Sequence, residues 1–412
     1  MRVVSLDEVR HRVGAVAQRI DRPRVFASGN GAVPWPLLEA VDAELPAYRL
    51  FMLNAPAGVP CRDGVELETP FVGAGMRGAA TLSYLPSRLS LVPQLLKSVT
   101  QPHIVLVHVS APRGGLVSLG VEVNIAPAAI ESALANGGLV IAQINPSMPF
   151  TYGDAEVHLD DIDIAVEVDE PITELTHPKP DERSSLVADQ VAALVPDGAT
   201  LQLGIGAVPG GVLAALTERR GLRIWTEMFS DGMLALARAG ALDHEVPIVT
   251  SFVWGSAELY KWLDGNRRVL MTRTERANDP GWIARQPTMT SINAALEVDL
   301  YGQANASYVR GRIYSGFGGQ SDFVVGALHA HHGQALIALP SWHQRAGVST
   351  IVPTLSAPAT SFQQTSVVTE QGVARLWGVS QHEQARRLIE YAAHPDVRDQ
   401  LRTAARSLGL AG

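Results

Sequence analysis

Short apolar runs rich in β-branched residues alternate with amphipathic segments along most of the chain. Four runs in the first half predict buried strands, at 24–29, 48–53, 103–109 and 139–144. Between them, segments 36–43 and 128–135 have apolar positions at helical spacing. Strands that alternate with helices indicate mainly parallel sheets covered by helices on both faces.

The pattern is interrupted once and then restarts. Residues 171–182, PITELTHPKPDE, contain three prolines and several charges without an apolar period, which is typical of a linker between domains. After it we predict a helix at 185–195, a strand at 200–205, a helix at 210–220, a strand at 222–228 and two terminal helices, the second beginning at Pro395. The predicted fold is therefore two similar open α/β domains, 1–172 and 183–412, joined by a linker at 173–182.

Composition and charge exclude several classes of protein. The 412 residues are 46% hydrophobic, which is enough to form sizeable cores and argues against intrinsic disorder. Thirty-three Lys and Arg stand against 41 Asp and Glu without a dense basic run, so we expect no nucleic-acid or anionic-membrane partner. A charged start, the lack of a long apolar segment and a single cysteine, Cys61, favour a cytoplasmic protein.

The first candidate functional segment is the glycine-rich turn GIGAVPGG, from Gly204 to Gly211. It joins a predicted strand to a predicted helix, where free backbone N–H groups suit an anion or an oxyanion. Pro209 at the helix entrance distinguishes it from a dinucleotide-binding fingerprint. A tight turn with a purely structural role is the alternative.

The second segment, WTEMFSDGM, contains Glu227 at the end of a predicted strand. The carboxyl ends of strands in open α/β sheets border the ligand crevice, and a partly desolvated carboxylate there can act as nucleophile or base. A helix-capping acid beside Asp231 is the alternative.

The loop SGFGGQSDF has four small residues in its first five positions, from Ser315 to Gly319. Such a loop admits a bulky ligand against the backbone. A β-bulge or an ordinary turn would need the same residues.

Two further groups are ambiguous. Glu297 and Asp299 share one face of a predicted strand, as a catalytic pair or as a structural strand end. His329, His331 and His332 lack a Cys or carboxylate partner at a known spacing, so we predict a helix C-terminus and no metal site.

These segments, in this order, resemble the acetyl-CoA hydrolase/transferase family, a branch of the class I CoA-transferases that includes butyryl-CoA:acetate and 4-hydroxybutyrate CoA-transferases. The resemblance is nearly full length. Its most specific segments are LQLGIGAVPGGV, TEMFSDG, INAALEVDLYGQAN, SGFGGQSDF and SVVTEQGVARLWG.

The resemblance implies roles for individual residues. Glu227 matches the family's nucleophile. The other matching positions are Ile205, Gly206 and Gly318 for backbone donors to the oxyanion, Gly204, Gly316, Gly318 and Gly319 for coenzyme A, and Asn278, Glu370 and Phe150 for the substrate pocket. It also implies a homodimer, acyl-CoA and small carboxylates as substrates, and no tightly bound cofactor.

Departures from the family concern the substrate. Phe150 and Val325 stand where family members often have Arg, and SFQQTS replaces a basic position before VVTE. Fewer cations weaken the case for a dicarboxylate acceptor. Arg113 replaces an acid of the family pattern, so the resemblance does not define the residues on the N-terminal side of the pocket.

The leading hypothesis is an acyl-CoA:carboxylate CoA-transferase that works through covalent intermediates on Glu227. A CoA-thioester hydrolase on the same scaffold needs the same residues and is the alternative. There are two other hypotheses. One is a catalytically silent CoA-ester binding protein, and the intact Glu227 and glycine-rich segments argue against it. The other is a nicotinamide dehydrogenase, and Pro209 argues against that.

Overall fold

The computed structural model describes residues 1–175, 181–204, 206–359 and 363–411. The chain forms two compact units. One comprises Met1–Thr176 and Ile248–Ala277, and the other comprises His177–Pro247 and Asn278–Gly412.

The first unit is built on an eight-stranded sheet in which every pairing is parallel. Its four central predicted strands are confirmed, and two of them, Ile104–Val109 and Leu139–Ile144, are buried at every position, as expected where helices cover both faces. In spatial order the strands are Arg2–Val3, Ile164–Glu167, Leu139–Ile144, Ile104–Val109, Arg24–Ala27, Tyr48–Phe51, Val65–Thr69 and Leu82–Tyr84.

Helices cover this sheet, and the predicted ones at 36–43 and 128–135 are confirmed. Helix Ala126–Ala135, for example, packs on the two fully buried strands. The helices of the first unit are Leu6–Ala17, Trp35–Glu44, Val92–Lys97, Ala126–Ala135, Ala257–Leu263 and Thr274–Ala277, with 3-10 turns at Leu89–Leu91 and Leu159–Asp161. A small antiparallel pair, Leu116–Ser118 with Glu156–His158, completes the connections.

The segment Ile248–Ala277 returns to the first unit, whereas we predicted one continuous domain over 183–412. Strand Val269–Met271 lies between Ile248–Thr250 and Tyr152–Gly153 and pairs with both in parallel. Leu175, within the predicted linker, donates its N–H to the Gly255 carbonyl at 3.0 Å. Residues 176–180 of that linker lie outside the described residues.

The second unit is built on a six-stranded sheet, parallel except for a terminal hairpin. In spatial order its strands are Arg223–Ile224, Thr200–Leu203, Met289–Asn293, Gln334–Ala338, Ser366–Thr369 and Gly372–Arg375. The winding direction reverses between Thr200–Leu203 and Met289–Asn293. Ligands of open α/β sheets bind beyond the carboxyl ends of strands at such a reversal.

The second unit's helices are Glu182–Ala193, Ala207–Ala215, Asp231–Arg238, Pro280–Ala284, Gln320–His329, Gln381–Arg387 and Arg398–Ser407, with a π-helical turn at Leu388–Ala392 and a 3-10 turn at Pro395–Val397. The short strands outside its main sheet are Met228–Phe229, Glu297–Asp299, Ala304–Asn305, Tyr308–Val309, Arg312–Ile313, Trp342–His343, Val348–Ser349 and Ile351–Val352.

Two local predictions in this unit were wrong. The helix predicted at 210–220 spans Ala207–Ala215, because it begins directly after its N-cap, Gly206, and Pro209 fits in its first turn. The strand predicted at 222–228 is broken into Arg223–Ile224 and Met228–Phe229. The predicted fold class, α/β with mainly parallel sheets flanked by helices, is confirmed. No helix within the described ranges has the length and apolar character that crossing a bilayer requires.

Candidate active site

Glu227 lies in the break between Arg223–Ile224 and Met228–Phe229. The residue before it, Thr226, is fully buried, and its hydroxyl lies 3.3 Å from the Leu203 carbonyl and 3.1 Å from the Met228 carbonyl. Leu203 is the last residue of the strand that leads into the glycine-rich turn. The Thr226 hydroxyl therefore holds the Glu227 segment beside that turn.

The turn itself requires glycine at Gly206. This residue has a φ of 123° and caps helix Ala207–Ala215, with Gly210 donating its N–H to the Gly206 carbonyl at 3.0 Å. A side chain at Gly204 would meet no atom within 4 Å, so the space beside the backbone is open there. Ile205 lies outside the described residues, and its predicted oxyanion role stays a prediction.

Asn278 and Gly319 enclose the Glu227 carboxylate. Asn278 is fully buried and donates from Nδ2 to Glu227 Oε2 at 2.9 Å. Gly319 contributes empty space, because a Cβ placed on it would collide with both Oε2 and Nδ2. The structure thus brings together three residues that the sequence predicted for the site.

Burial of the carboxyl group is the main cause that raises the pKa of Glu227 from an ordinary value near 4.5 to about 7. The hydrogen bond from Asn278 opposes this rise, and the negative charge of Asp322 adds to it. Near neutral pH a large fraction of the group is therefore an ionised carboxylate with little hydration, the state needed for nucleophilic attack.

Asp322 is a site residue that the sequence analysis missed. It is fully buried in the first turn of helix Gln320–His329, directly after the glycine-rich loop. Gln320 ties that turn to the carboxyl end of Met289–Asn293 by donating from Nε2 to the Ala294 carbonyl at 3.2 Å. The place of Asp322 three residues after a glycine could have predicted an acid in the first turn of a helix, because acids are favoured there.

Glu370 lies at the carboxyl end of strand Ser366–Thr369. Its carboxylate accepts hydrogen bonds from the backbone N–H of Ser341 at 2.7 Å and from the Ser341 hydroxyl at 2.6 Å. Ser341 is fully buried and follows the neighbouring strand Gln334–Ala338. Glu370 therefore stands at the same edge of the sheet as the glycine-rich turn.

Phe150, predicted for the substrate pocket, belongs to the first unit. Its ring is buried, and its N–H donates to Asp264 Oδ1 at 2.8 Å. The Arg113 guanidinium lies 5.0 Å from the ring centroid and pairs with the same Asp264 at 3.0 Å. The Arg113 charge beside Phe150 is thus paired with the Asp264 carboxylate.

The remaining candidates have structural contacts. Glu297 accepts from Asn305 Nδ2 at 2.9 Å, and buried Asp299 accepts the N–H groups of Tyr301 and Gln303. His329 is the last residue of its helix, as predicted. Within the described ranges, no three His, Cys, Asp or Glu side chains are grouped so as to hold a metal ion.

The raised pKa predicts that Glu227 destabilises the folded protein when it is ionised. Because the folded pKa lies above the unfolded one, the cost appears as pH rises from about 4.5 to 7. We expect Glu227→Gln to increase stability at pH 8 by about 1–2 kcal/mol and to have little effect at pH 4.5. Thermal denaturation at both pH values measures this. Exposed Glu218→Gln is the control, and a gain that does not depend on pH would contradict the assignment.

Asn278→Ala removes the hydrogen bond that favours the ionised Glu227. We expect the pKa of Glu227 to rise further. The rate of nucleophilic attack by Glu227 at pH 7 should fall by about 10- to 100-fold, since a carboxylate without its hydrogen-bond partner is also less well oriented. A pH–rate profile checks this. An unchanged acidic limb would show that Asn278 has no influence on the ionisation of Glu227.

Comparisons with known proteins show what this chain is similar to. Residues 255–405 match the family described as acetyl-CoA hydrolase/transferase C-terminal domain. The 4-hydroxybutyrate coenzyme A transferase of Clostridium kluyveri is 39% identical over 346 residues, which cover 80% of this chain and 80% of that protein.

Solved structures are similar to this protein over nearly the whole chain. RipA from Yersinia pestis has a TM-score of 0.89 at 29% identity, with 99% of this chain and all of that chain covered. The 4-hydroxybutyrate CoA-transferase of Porphyromonas gingivalis has a TM-score of 0.80 at 30% identity, with 99% and 98% covered.

Proposed function

Because the chain belongs to the acetyl-CoA hydrolase/transferase family, we propose that it is an acyl-CoA:carboxylate CoA-transferase with Glu227 as its nucleophile. The observation that carries this proposal is the environment of Glu227. Glu227 is half-buried, and its carboxylate is hydrogen-bonded to Asn278 and lies against the glycine-rich loop at Gly319. A carboxylate is a weak nucleophile in water, and desolvation with fixed orientation is what activates it.

The first half-reaction begins when the Glu227 carboxylate attacks the thioester carbonyl of acyl-CoA. A C–O bond forms and the C–S bond breaks, which gives an acyl-glutamyl anhydride and CoA thiolate. The thiolate then attacks the glutamyl carbonyl and expels the first carboxylate, which leaves a glutamyl-CoA thioester. No net proton transfer is needed, because each step exchanges one anion for another.

The second half-reaction reverses this sequence with a different carboxylate. The incoming carboxylate attacks the glutamyl carbonyl and expels CoA thiolate, which then attacks the new acyl carbonyl and frees Glu227. The kinetics are ping-pong, since the first product leaves before the second substrate reacts.

Backbone N–H groups of the two glycine-rich segments are the proposed oxyanion donors. Gly206 and Gly318 both have positive φ, at 123° and 51°, in turns that lead into helix N-termini. Donors placed where the tetrahedral oxyanion develops contribute about 3 kcal/mol each in comparable enzymes. Gly204 and Gly316 are proposed to lie against the arm of coenzyme A.

Acceptor dependence tests this function. With a panel of short acyl-CoAs and acetate, a transferase forms acetyl-CoA as fast as the donor disappears and releases little free CoA when acetate is omitted. Chromatography of the CoA esters and a thiol assay measure both products, with Glu227→Ala as the control. Rapid release of free CoA without acetate would instead identify a thioester hydrolase.

The expected homodimer is part of this proposal, and light scattering during size-exclusion chromatography tests it. A mass near 88 kDa, twice the 44.0 kDa of the chain, is the expected result. A monomer mass would contradict it.

A further inference from the structure

We infer that Gly319 is a positioning residue. Because it has no side chain, the Glu227 carboxylate can lie against the loop backbone at the place where it accepts the hydrogen bond from Asn278. This inference deepens the proposed function and rests on Glu227 as its nucleophile. It assigns Gly319 to the nucleophile, whereas the family resemblance assigns it to coenzyme A.

The space around Gly319 is filled by the nucleophile and its partner. A Cβ on Gly319 would collide with Glu227 Oε2 and with Asn278 Nδ2, and would lie 3.2 Å from Glu227 Cδ. These three atoms are its nearest neighbours. The same two polar atoms form the 2.9 Å hydrogen bond that orients the carboxylate. At the position of the Cβ, the pair formed by Glu227 and Asn278 thus leaves room only for a hydrogen atom of Gly319.

Backbone conformation does not explain this glycine. Gly319 has φ −88° and ψ −2°, a conformation that any residue adopts. Its neighbours differ, because Gly316 has φ 129° and Gly318 has φ 51°, both in the region that favours glycine. At Gly316 and Gly318 the backbone requires glycine, whereas at Gly319 the requirement comes from the carboxylate.

An alanine at this position would displace the carboxylate. Gly319 is fixed as the N-cap of helix Gln320–His329 by the bond from the Phe323 N–H to its carbonyl at 3.1 Å. Asn278 is fully buried. The Glu227 side chain is the most adaptable of the three, and to restore ordinary contact its oxygen must withdraw by roughly 1 Å or more. A displacement of that size costs about 100-fold in rate when it affects reacting atoms.

Gly319→Ala separates the two assignments by activity. If Gly319 seats the nucleophile, kcat falls by about 100-fold while the Kd for free CoA changes by less than twofold. If Gly319 serves only as a contact for coenzyme A, the Kd rises and kcat at saturation changes little. Stopped-flow kinetics and calorimetric titration with CoA measure the two quantities.

A double-mutant cycle on thermal stability tests the same contact without any turnover. In the wild-type background we expect Gly319→Ala to lower Tm by about 5 °C, because the added methyl group overpacks the site. In a Glu227→Ala background the crowded oxygen is absent, and the loss should be at most half as large. The poorer N-cap propensity of alanine affects both backgrounds equally and cancels.

Gly326→Ala is the matched control. Gly326 lies in the same helix, and a Cβ there would come within 2.5 Å of Ile283, away from the carboxylate. Its loss of Tm should be the same with and without Glu227. Equal losses for Gly319→Ala in both backgrounds would overturn the inference even if the enzyme proves to be a CoA-transferase. If the losses differ but no acyl-CoA is turned over, Gly319 still seats Glu227 and the proposed function fails.

Discussion

Glu227→Ala is expected to lower the rate of CoA transfer by at least about 10,000-fold, because both proposed covalent intermediates form on the Glu227 carboxylate. The protein should remain folded, since the carboxylate is a source of instability when ionised. Formation of acetyl-CoA from a second acyl-CoA and acetate measures the activity, and circular dichroism verifies the fold.

Glu227→Asp refines this prediction. It keeps the charge but retracts the carboxylate by one methylene, so the group no longer reaches Asn278 in the same geometry, and most activity should be lost. Exposed Glu218→Ala is the control that should retain full activity. Substantial transfer by Glu227→Ala would mean that another residue, or direct attack by the acceptor, carries the reaction.

The second large effect is a loss of activity in acid. Only the ionised carboxylate attacks, and its pKa of about 7 lies within the range accessible to assay. The rate of the first half-reaction should be highest above pH 7 and should fall about tenfold for each pH unit below it, to about 1% at pH 5. Release of the first carboxylate from a labelled acyl-CoA in a single turnover, without any acceptor, measures this limb, because coenzyme A itself stays bound to Glu227 in that half-reaction.

Omitting the acceptor removes the contribution of its own titration from the profile. In Glu227→Asp the acidic limb of the residual rate should follow a different pKa, because the shorter side chain places its carboxyl group in a different environment. A rate that stays constant from pH 8 to pH 5 would indicate a carboxyl group with an ordinary pKa, and would contradict the desolvated nucleophile.

The sheets were predictable where strands are buried on both faces. Runs such as Ile104–Val109 and Leu139–Ile144 are continuous and β-branched, which distinguishes them from amphipathic helices such as Ala126–Ala135. The return of Ile248–Ala277 to the first unit was not predictable, because it depends on pairing with Tyr152–Gly153, far away in the chain. Local patterns contain no information about such a partner.

The site was predictable in its residues and not in its contacts. The order of the glycine-rich and TEMFSDG segments led to Glu227, and the structure places Asn278 and Gly319 beside it. The break in the strand around Glu227 was missed, because no glycine or proline marks it in the segment LRIWTEM, whereas the Thr226 hydroxyl bonds to carbonyls there. The spacing from Gly319 places the fully buried Asp322 in the first turn of a helix, but its proximity to the Glu227 charge joins distant parts of the chain and could not be predicted from that spacing.

The central claim is that Glu227 carries coenzyme A covalently, and chemical trapping tests it most directly. The enzyme is mixed with acyl-CoA, treated with borohydride, digested and analysed by peptide mass spectrometry. Borohydride reduces a glutamyl thioester to the alcohol, so we predict this modification at Glu227, dependent on acyl-CoA and absent from Glu227→Ala. Unmodified Glu227 in an enzyme that exchanges CoA under the same conditions, or a modification at another residue, would contradict the account.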